Sequence, residues 1–267
     1  MKKNISQVVV SMVFYIILLL SISLYTSCST DAMVSDEIDS TEDGKEITVS
    51  KKEAIDEQQP CDNMANYLFI EREGLVNVEF ENAEFSSDWR LKTDGNSFSG
   101  KGYMVWEGAQ YLGNPGNAKT TFKIKIGNTG TYQFLWKSAV KIGNSGTDHN
   151  DTWLRFNDAD DFYGKKDDSI VYPKDTGKTP NPEGASKDGW FKVYRSGNDL
   201  DFKWQARTFD NNAHNIFVVF EKSGTYTMEV SVRSTGHGID RFVLFNTSKT
   251  QEDAISDDAG LSEITCN

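Results

Sequence analysis

From residue 67 to residue 247 the chain is a succession of short segments in which apolar and polar residues alternate. The clearest segment is 226–232, where Tyr226, Met228, Val230 and Val232 are separated by polar or charged residues. This period of two is typical of a strand that buries one face. Further segments predicted as strands, some alternating and some continuously apolar and separated by turns rich in Gly and Asn, are 68–70, 76–80, 102–107, 120–126, 132–140, 152–156, 190–194, 216–221 and 239–245. No long segment has the helical period of 3.6, so the sequence predicts an all-β fold, a single β-sandwich or jelly roll.

A long polar insertion interrupts this succession at residues 157–201, which are rich in Gly, Asp and Lys and contain Pro173, Pro180 and Pro182. A connection of this length in a compact domain usually covers or extends a binding face. The predicted organisation is a leader at 1–27, a disordered acidic stalk at 28–66, the sandwich at 67–247 and an acidic C-terminal tail at 248–267.

The leader has the pattern of a targeting segment. Lys2 and Lys3 precede an apolar run at 8–24, which is followed by small residues and Cys28. This ending resembles a bacterial lipobox, with Cys28 as the lipidated first residue of the mature protein. An uncleaved anchor helix and an ordinary signal peptide are the alternatives. Each places the rest of the chain outside the cytoplasm. The lipobox predicts a lipid-anchored protein of the bacterial envelope. The expected membrane is the outer membrane, and display on the cell surface is one arrangement that this location allows.

Composition narrows the choice of partner. The net charge of −12 excludes nucleic acid as the expected ligand, because phosphate binding needs a basic surface. The chain has no nucleophile elbow, no H-E-x-x-H, no phosphate-binding glycine loop and no C-x-x-C.

Two cysteines remain once Cys28 is assigned to lipid. Cys61 precedes the predicted sandwich and Cys266 is the penultimate residue. In an oxidising compartment they predict a disulfide that joins the two ends of the domain, with free thiols as the alternative.

Three acidic residues lie among apolar neighbours in two distant segments. Glu79 and Glu81 alternate with apolar residues near the start of the sandwich, and Asp240 lies between Ile239 and the run Phe242 to Phe245. A buried acid is costly unless it is paired or bound to a metal. If the first and last strands are neighbours, the three carboxylates form a set of hard oxygen ligands suited to calcium. Salt bridges from Arg241 or Arg233 are the alternative.

Four strings resemble the carbohydrate-binding modules of families 6 and 35, which are galactose-binding-like β-jelly-rolls related to malectin domains. The strings are VEFENAEF, SFSGKGYMVW, GTYQFLWKSA and GTYTMEVSVRSTGHGIDRFVLF. The resemblance covers roughly Val76 to Phe245, except residues 157–204, where the connection is longer than the family's. It implies that Glu79, Glu81 and Asp240 hold a structural calcium, and that ligand loops lie at one end of the sandwich.

Aromatic rings and loop polar residues are the candidate sugar-binding groups. A pyranose presents C–H groups that pack on an aromatic face, and a neighbouring polar side chain fixes its hydroxyls. By analogy with the resembled families, the candidate residues are Tyr111, His149, Asn150, Trp153, Trp190 and His237. The alternative is that the histidines lie apart from one another and that the aromatic residues belong to the core.

The leading hypothesis is a non-catalytic, envelope-anchored lipoprotein that captures polysaccharide for neighbouring degrading enzymes or a transporter. A polysaccharide lyase or glycoside hydrolase on the same scaffold, with His and Tyr as acid and base, is the second hypothesis. A structural or protein-interaction domain is the third.

Overall fold

The computed structural model describes residues 61–267, and the fold is all-β, as predicted from the alternation. Cys28, the apolar run before it and most of the acidic stalk lie outside the described residues. Within residues 61–267, no helix has the length and apolar character needed to cross a membrane.

Seventeen strands and one short helix make up the domain, after a single 3-10 turn at Met64–Asn66. The strands of the first half are β1 (Tyr67–Ile70), β2 (Leu75–Glu79), β3 (Trp89–Lys92), β4 (Tyr103–Trp106), β5 (Thr120–Ile126), β6 (Gly130–Val140), β7 (Asp151–Phe156), β8 (Asp161–Lys166) and β9 (Ser169–Val171). Those of the second half are β10 (Ser186–Lys187), β11 (Trp190–Tyr194), β12 (Lys203–Trp204), β13 (Arg207–Thr208), β14 (His214–Phe220), β15 (Gly224–Ser231), β16 (His237–Phe245) and, after α1 (Gln251–Ile255), β17 (Ile264–Cys266).

The strands form two layers of a sandwich. One layer runs β17-β1-β5-β15-β7-β11, and its only parallel pair is β1 with β5. The other runs β16-β6-β14-β8-β9, and β2 and β4 follow one another along the free edge of β16. The short strand β13 pairs with both β11 and β14, so it links the layers at one end.

Side chains of the two layers interlock between them. Phe122 of β5 lies 5.1 Å from Phe242 of β16, ring centre to ring centre, and Phe134 of β6 lies 6.3 Å from Phe156 of β7. The alternation in β5 shows why: Phe122, Ile124 and Ile126 are buried while the residues between them face outward. Burial of such rings is the main source of stability in a sandwich.

The polar insertion is folded and widens both layers. Its strand β8 pairs with β14 over five residues, and β11 pairs with β7 over four. The sequence DFYGKK of β8 carries a weak alternation, because Gly164 replaces an apolar side chain at an inward position. A Cβ at Gly164 would lie 2.8 Å from Thr208, so only glycine fits there.

The C-terminal segment 248–267 also packs on the domain. Thr250 caps α1 with a capping box, and Ala254 is fully buried. Strand β17 then pairs with β1, and a disulfide joins Cys61 to Cys266 with Cα atoms 5.7 Å apart. One buried apolar residue, strand pairing and the disulfide together hold this polar segment against the sandwich.

Candidate functional site

A cleft of about 590 Å³ opens at the end of the sandwich where β11 ends and β7 begins. Its walls are the loops at 110–112, 147–151, 194–197, 210–211 and 233–234. The lining is mostly polar, with amide, hydroxyl, carboxylate and cationic side chains, and Leu112, half exposed, lies on its rim.

An ion pair on the cleft wall joins the two halves of the site. The carboxylate of Asp151 accepts hydrogen bonds from the Arg233 guanidinium and from the Ser234 hydroxyl. The Arg233 guanidinium also lies 5.2 Å from the Trp153 ring, so a cation–π contact holds its other side. Both charged groups are nearly buried, and their geometry is therefore fixed before any ligand arrives.

A buried lysine forms the opposite wall. Lys192 lies in β11 among aromatic residues and is 4% exposed, and its ammonium pairs with the carboxylate of Asp210. Burial lowers the pKa of Lys192 to about 8, and Asp151 partly opposes that shift. Its Nζ lies 5.2 Å from the ring of Tyr194. The cleft therefore contains two cations, each already paired with a carboxylate.

His149 and Asn150 are the two predicted sugar-binding residues that line this cleft. His149 has the left-handed φ of 55°, and its Nδ1 lies 2.6 Å from the carbonyl oxygen of Thr235. A carbonyl can only accept, so Nδ1 carries a proton and donates it to the Thr235 carbonyl. The Asn150 amide donates to the Arg195 carbonyl at 2.7 Å, which fixes its orientation.

Tyr111 is beside the cleft rather than in it. Its backbone N–H donates to the Arg233 carbonyl at 2.8 Å, and its carbonyl accepts from the Trp153 indole at 3.0 Å. The phenol ring is half-buried 6.4 Å from Trp106. Tyr111 therefore anchors the 110–112 loop through its main chain.

The remaining predicted sugar-binding residues are buried. Trp153 is 2% exposed and Trp190 is 3% exposed, and Trp190 lies at the end of β11 away from the cleft, under the Arg155 guanidinium at 4.4 Å. His237 is fully buried, with Nδ1 2.8 Å from the Thr152 hydroxyl, and burial lowers its pKa to about 3. None of these three rings presents an open face for stacking.

The predicted calcium ligands lie near one another where β2 runs beside β16. A bulge in the β16–β6 pairing falls at Asp240, between Ile239 and Arg241, and Arg241 is in register with Glu79 of β2. The Ser99 hydroxyl donates to Glu79 at 3.0 Å, and the Ser99 N–H donates to Asp240 at 3.0 Å. The Lys101 N–H donates to Glu81 at 2.7 Å. A bulge re-aims one side chain, which is how Asp240 reaches this cluster.

The carboxylate cluster is paired with a lysine. Lys137 pairs with Asp240 at 3.0 Å, a partner that the sequence analysis did not name, while Arg233 pairs with Asp151 instead. Burial, and then the neighbouring carboxylates, raise the pKa of Glu81 to about 7, and one of its oxygens is buried without a hydrogen bond.

The position of the Glu81 carboxylate depends on a neighbouring glycine. A Cβ at Gly100 would lie 2.4 Å from that carboxylate, so glycine is required for this close approach. Across residues 61–267, however, no three acidic, His or Cys side chains converge closely enough to form a metal centre. The carboxylate oxygens are donors of the kind that calcium prefers. The three carboxylates, however, are connected by hydrogen bonds from Ser99 and Lys101 and do not surround a single point.

The cleft also contains Lys192, Asp210 and the Asp151–Arg233 pair, which the sequence analysis did not predict as a set. One signal was present: WFKVY places a lysine inside a run of aromatic residues, and a buried cation of that kind needs a partner. Nothing in the sequence identifies Asp210 as that partner, because the position of the 210–211 loop depends on the pairing of the preceding strand, β13.

No protein-family model matches the chain, and no curated protein matches it significantly. Three solved structures are distantly similar. The GH26-CBM35 β-(1,4)-mannanase of Podospora anserina is 16% identical with a TM-score of 0.41, covering 70% of this chain and 31% of that one. The isomalto-dextranase of Arthrobacter globiformis T6, complexed with panose, is 13% identical with a TM-score of 0.39, covering 65% and 24%. The CBM35 of Cellvibrio japonicus Abf62 is 14% identical with a TM-score of 0.37, covering 64% and 93%. The chain thus spans less than a third of the first two proteins.

Proposed function

We propose that this protein is a non-catalytic carbohydrate-binding protein whose ligand site is the cleft between the loops at 110–112, 147–151, 194–197, 210–211 and 233–234. The observation that carries the proposal is the set of fixed polar groups in that cleft. Sugar hydroxyls need donors and acceptors that are already oriented, because each ordering step on binding reduces the affinity. The Asp151–Arg233 pair, Asn150 and His149 are all held by contacts beneath the surface.

The same contacts support binding over catalysis. A lyase needs a base that is free to take a proton and a cation that is free to neutralise the substrate's acid group. In the cleft, Lys192 is paired with Asp210 and Arg233 is paired with Asp151. Recognition of hydroxyls uses such paired groups as they stand, whereas neutralising a substrate's acid group would first require the pairs to separate.

The cleft is tested with side chains that the fold does not need. Gln110 and Asp148 line the cleft, are exposed, and have no side-chain partner among the described residues. The double variant Gln110→Ala/Asp148→Ala is expected to keep the melting temperature and to weaken polysaccharide retention in affinity electrophoresis about tenfold. The matched control, Gln251→Ala/Asp257→Ala on the exposed C-terminal segment, should bind normally. Equal retention by both variants would place the glycan elsewhere.

Calcium at Glu79, Glu81 and Asp240 is part of the proposal. The excess of buried carboxylate over Lys137 and Arg241 supports a bound cation, and oxygen-only donors favour calcium over softer metals. The ion would neutralise the cluster and join the end of β2 to β16. Its role is therefore structural, and the cleft groups bind the glycan without it.

The proposed location is the bacterial envelope, with lipid at Cys28 as the anchor. The basic, apolar and small-residue order of the leader supports this, although Cys28 lies outside the described residues. A stalk of polar residues would then hold the sandwich away from the membrane, where it supplies captured polysaccharide to neighbouring enzymes or a transporter. Radiolabelled palmitate should enter the wild-type protein and not the Cys28→Ser variant.

A further inference from the structure

A second cavity, of about 680 Å³, lies on the outer face of the β6-β14-β8 layer. It is lined by strand residues rather than by the loops of the cleft, and the two share no lining residue. The alternation of β14 places Asn215 and Phe217 on this outer face while Ile216 and Val218 enter the core. The strand register therefore fixes the positions of the side chains on this face.

Two rows of side chains cross the strands there. In one row Phe217 of β14 is opposite Tyr163 of β8, and the two rings are stacked at 5.6 Å with an angle of 19°. In the other row Asn215 of β14 is flanked by Lys165 of β8 and Arg207 of β13. Residues two apart on a strand are separated by about 6.8 Å. The aromatic pair is thus next to the row of cations and an amide along the strands.

The cations of this face are not neutralised. The lining contains Lys165, Lys166 and Arg207 against one carboxylate, Asp167. Among the described residues, Lys165 and Arg207 have neither an ion pair nor a hydrogen-bond partner for their side chains. This contrasts with the cleft, where Lys192 and Arg233 are each paired. On a chain of net charge −12, this face therefore carries a local excess of positive charge.

We propose that this sheet face, named here the Tyr163–Arg207 face after two of its residues, is a second binding site and takes a uronate-containing polysaccharide. The aromatic pair packs on the C–H face of a pyranose, and Lys165 and Arg207 bind its carboxylate. Asn215 lies between them and hydrogen-bonds to ring hydroxyls. The net negative charge of the chain disfavours nucleic acid, whose phosphates are more densely charged than the carboxylates of a polyuronate.

The test measures binding of the full-length protein, in mild detergent, to three probes: polygalacturonate, neutral galactan and polyglutamate. Polygalacturonate is expected to bind, with an affinity that falls as salt is added. The variant Lys165→Gln/Arg207→Gln should weaken that binding about tenfold, because it removes two charged contacts. Phe217→Ala should also weaken it, with its melting temperature measured to show that the fold is kept.

Two controls separate this face from charge alone and from the cleft. Lys125→Gln removes an exposed lysine from β5 in the other layer and should bind polygalacturonate as the wild type does. Lys165→Gln/Arg207→Gln should weaken polygalacturonate binding by the same factor whether or not it is combined with the cleft variant Gln110→Ala/Asp148→Ala. The proposal is overturned if polygalacturonate does not bind, if Lys125→Gln weakens binding equally, or if polyglutamate binds as tightly as polygalacturonate.

Discussion

Asp151 is the residue on which the cleft depends most. Its carboxylate is 7% exposed at the side chain and neutralises Arg233, which is 13% exposed. Removing one partner of a nearly buried pair leaves the other charge without compensation. Asp151→Asn keeps the shape and removes the charge, so we expect the free energy of unfolding in urea to fall by about 3 kcal/mol.

A matched control is available at an exposed ion pair. Arg72 and Glu263 are 76% and 59% exposed at their side chains, and their atoms are 3.3 Å apart. Exposed pairs contribute little because water and salt screen them. Glu263→Gln should therefore change the free energy of unfolding much less than Asp151→Asn. Equal losses in the two variants would mean that Asp151 and Arg233 contribute no more than a surface pair.

Glu71 predicts how stability depends on pH. Burial raises the pKa of its carboxyl, but hydrogen bonds from Asn128, Gly74 and Gly127 outweigh burial and hold it below the ordinary value of 4.5. A lowered pKa in the folded state contributes stability above the unfolded pKa, and this is lost as the pH falls through the folded pKa. Glu71→Gln should cost about 2 kcal/mol at neutral pH and less in acid.

The measurement is a series of urea titrations of wild type and Glu71→Gln between neutral pH and pH about 3. The exposed neighbour Glu73, replaced by Gln, serves as the control and should lower the free energy of unfolding at neutral pH much less than Glu71→Gln does. A gap between wild type and Glu71→Gln that stays constant across the pH range would refute the role of the charged carboxylate.

At the scale of elements, β16 connects the proposed calcium cluster to the core, through the bulge at Asp240. A ligand bound only by the folded state stabilises it by mass action. Calcium is therefore expected to raise the melting temperature and a chelator to lower it. In Glu81→Gln the melt should respond much less to either, since one ligand oxygen is replaced by an amide nitrogen. Superimposable melting curves of the wild type with calcium and with chelator would contradict the proposed calcium site.

The C-terminal strand β17 is held to β1 by three pairs in register and by the Cys61–Cys266 disulfide. The bridge closes a sequence separation of 205 residues, so the chain-entropy model gives an upper figure of about 5 kcal/mol. Cys61→Ala/Cys266→Ala should lower the free energy of unfolding, and hydrogen exchange should rise first at β17. Unchanged exchange at β17 would show that strand pairing alone holds the segment.

The sequence predicts the elements better than their contacts. Clear alternation identifies β5 and β15, and continuous apolar runs identify β14 and β16, whereas β8 is hidden by Gly164 and β17 by its polar neighbours.

At the site, the sequence predicts His149 and Asn150 in a ligand loop, and the structure places both in the cleft lining. It could not distinguish an exposed ring from a buried one, so the burial of Trp153 and Trp190 was not predictable from their residue type. The pairing of Lys192 with Asp210 depends on the path of a loop, which no local pattern encodes.

At the scale of the whole molecule, the two proposed surfaces differ in how they use charge. The cleft holds cations that carboxylates already neutralise, which suits a neutral or weakly charged glycan. The Tyr163–Arg207 face leaves its cations open. Each site offers few contacts and much solvent, so affinity at either one should be modest. Together on one polysaccharide, two such sites would bind more tightly than either alone.

The most direct test of the central claim incubates the protein with a panel of plant and algal polysaccharides and follows retention and product release together. We expect retention of at least one glycan, weakened about tenfold in Gln110→Ala/Asp148→Ala, with no new reducing ends and no unsaturated products. New reducing ends or unsaturated sugars that disappear in the same variant would contradict it, because the cleft would then be a catalytic site.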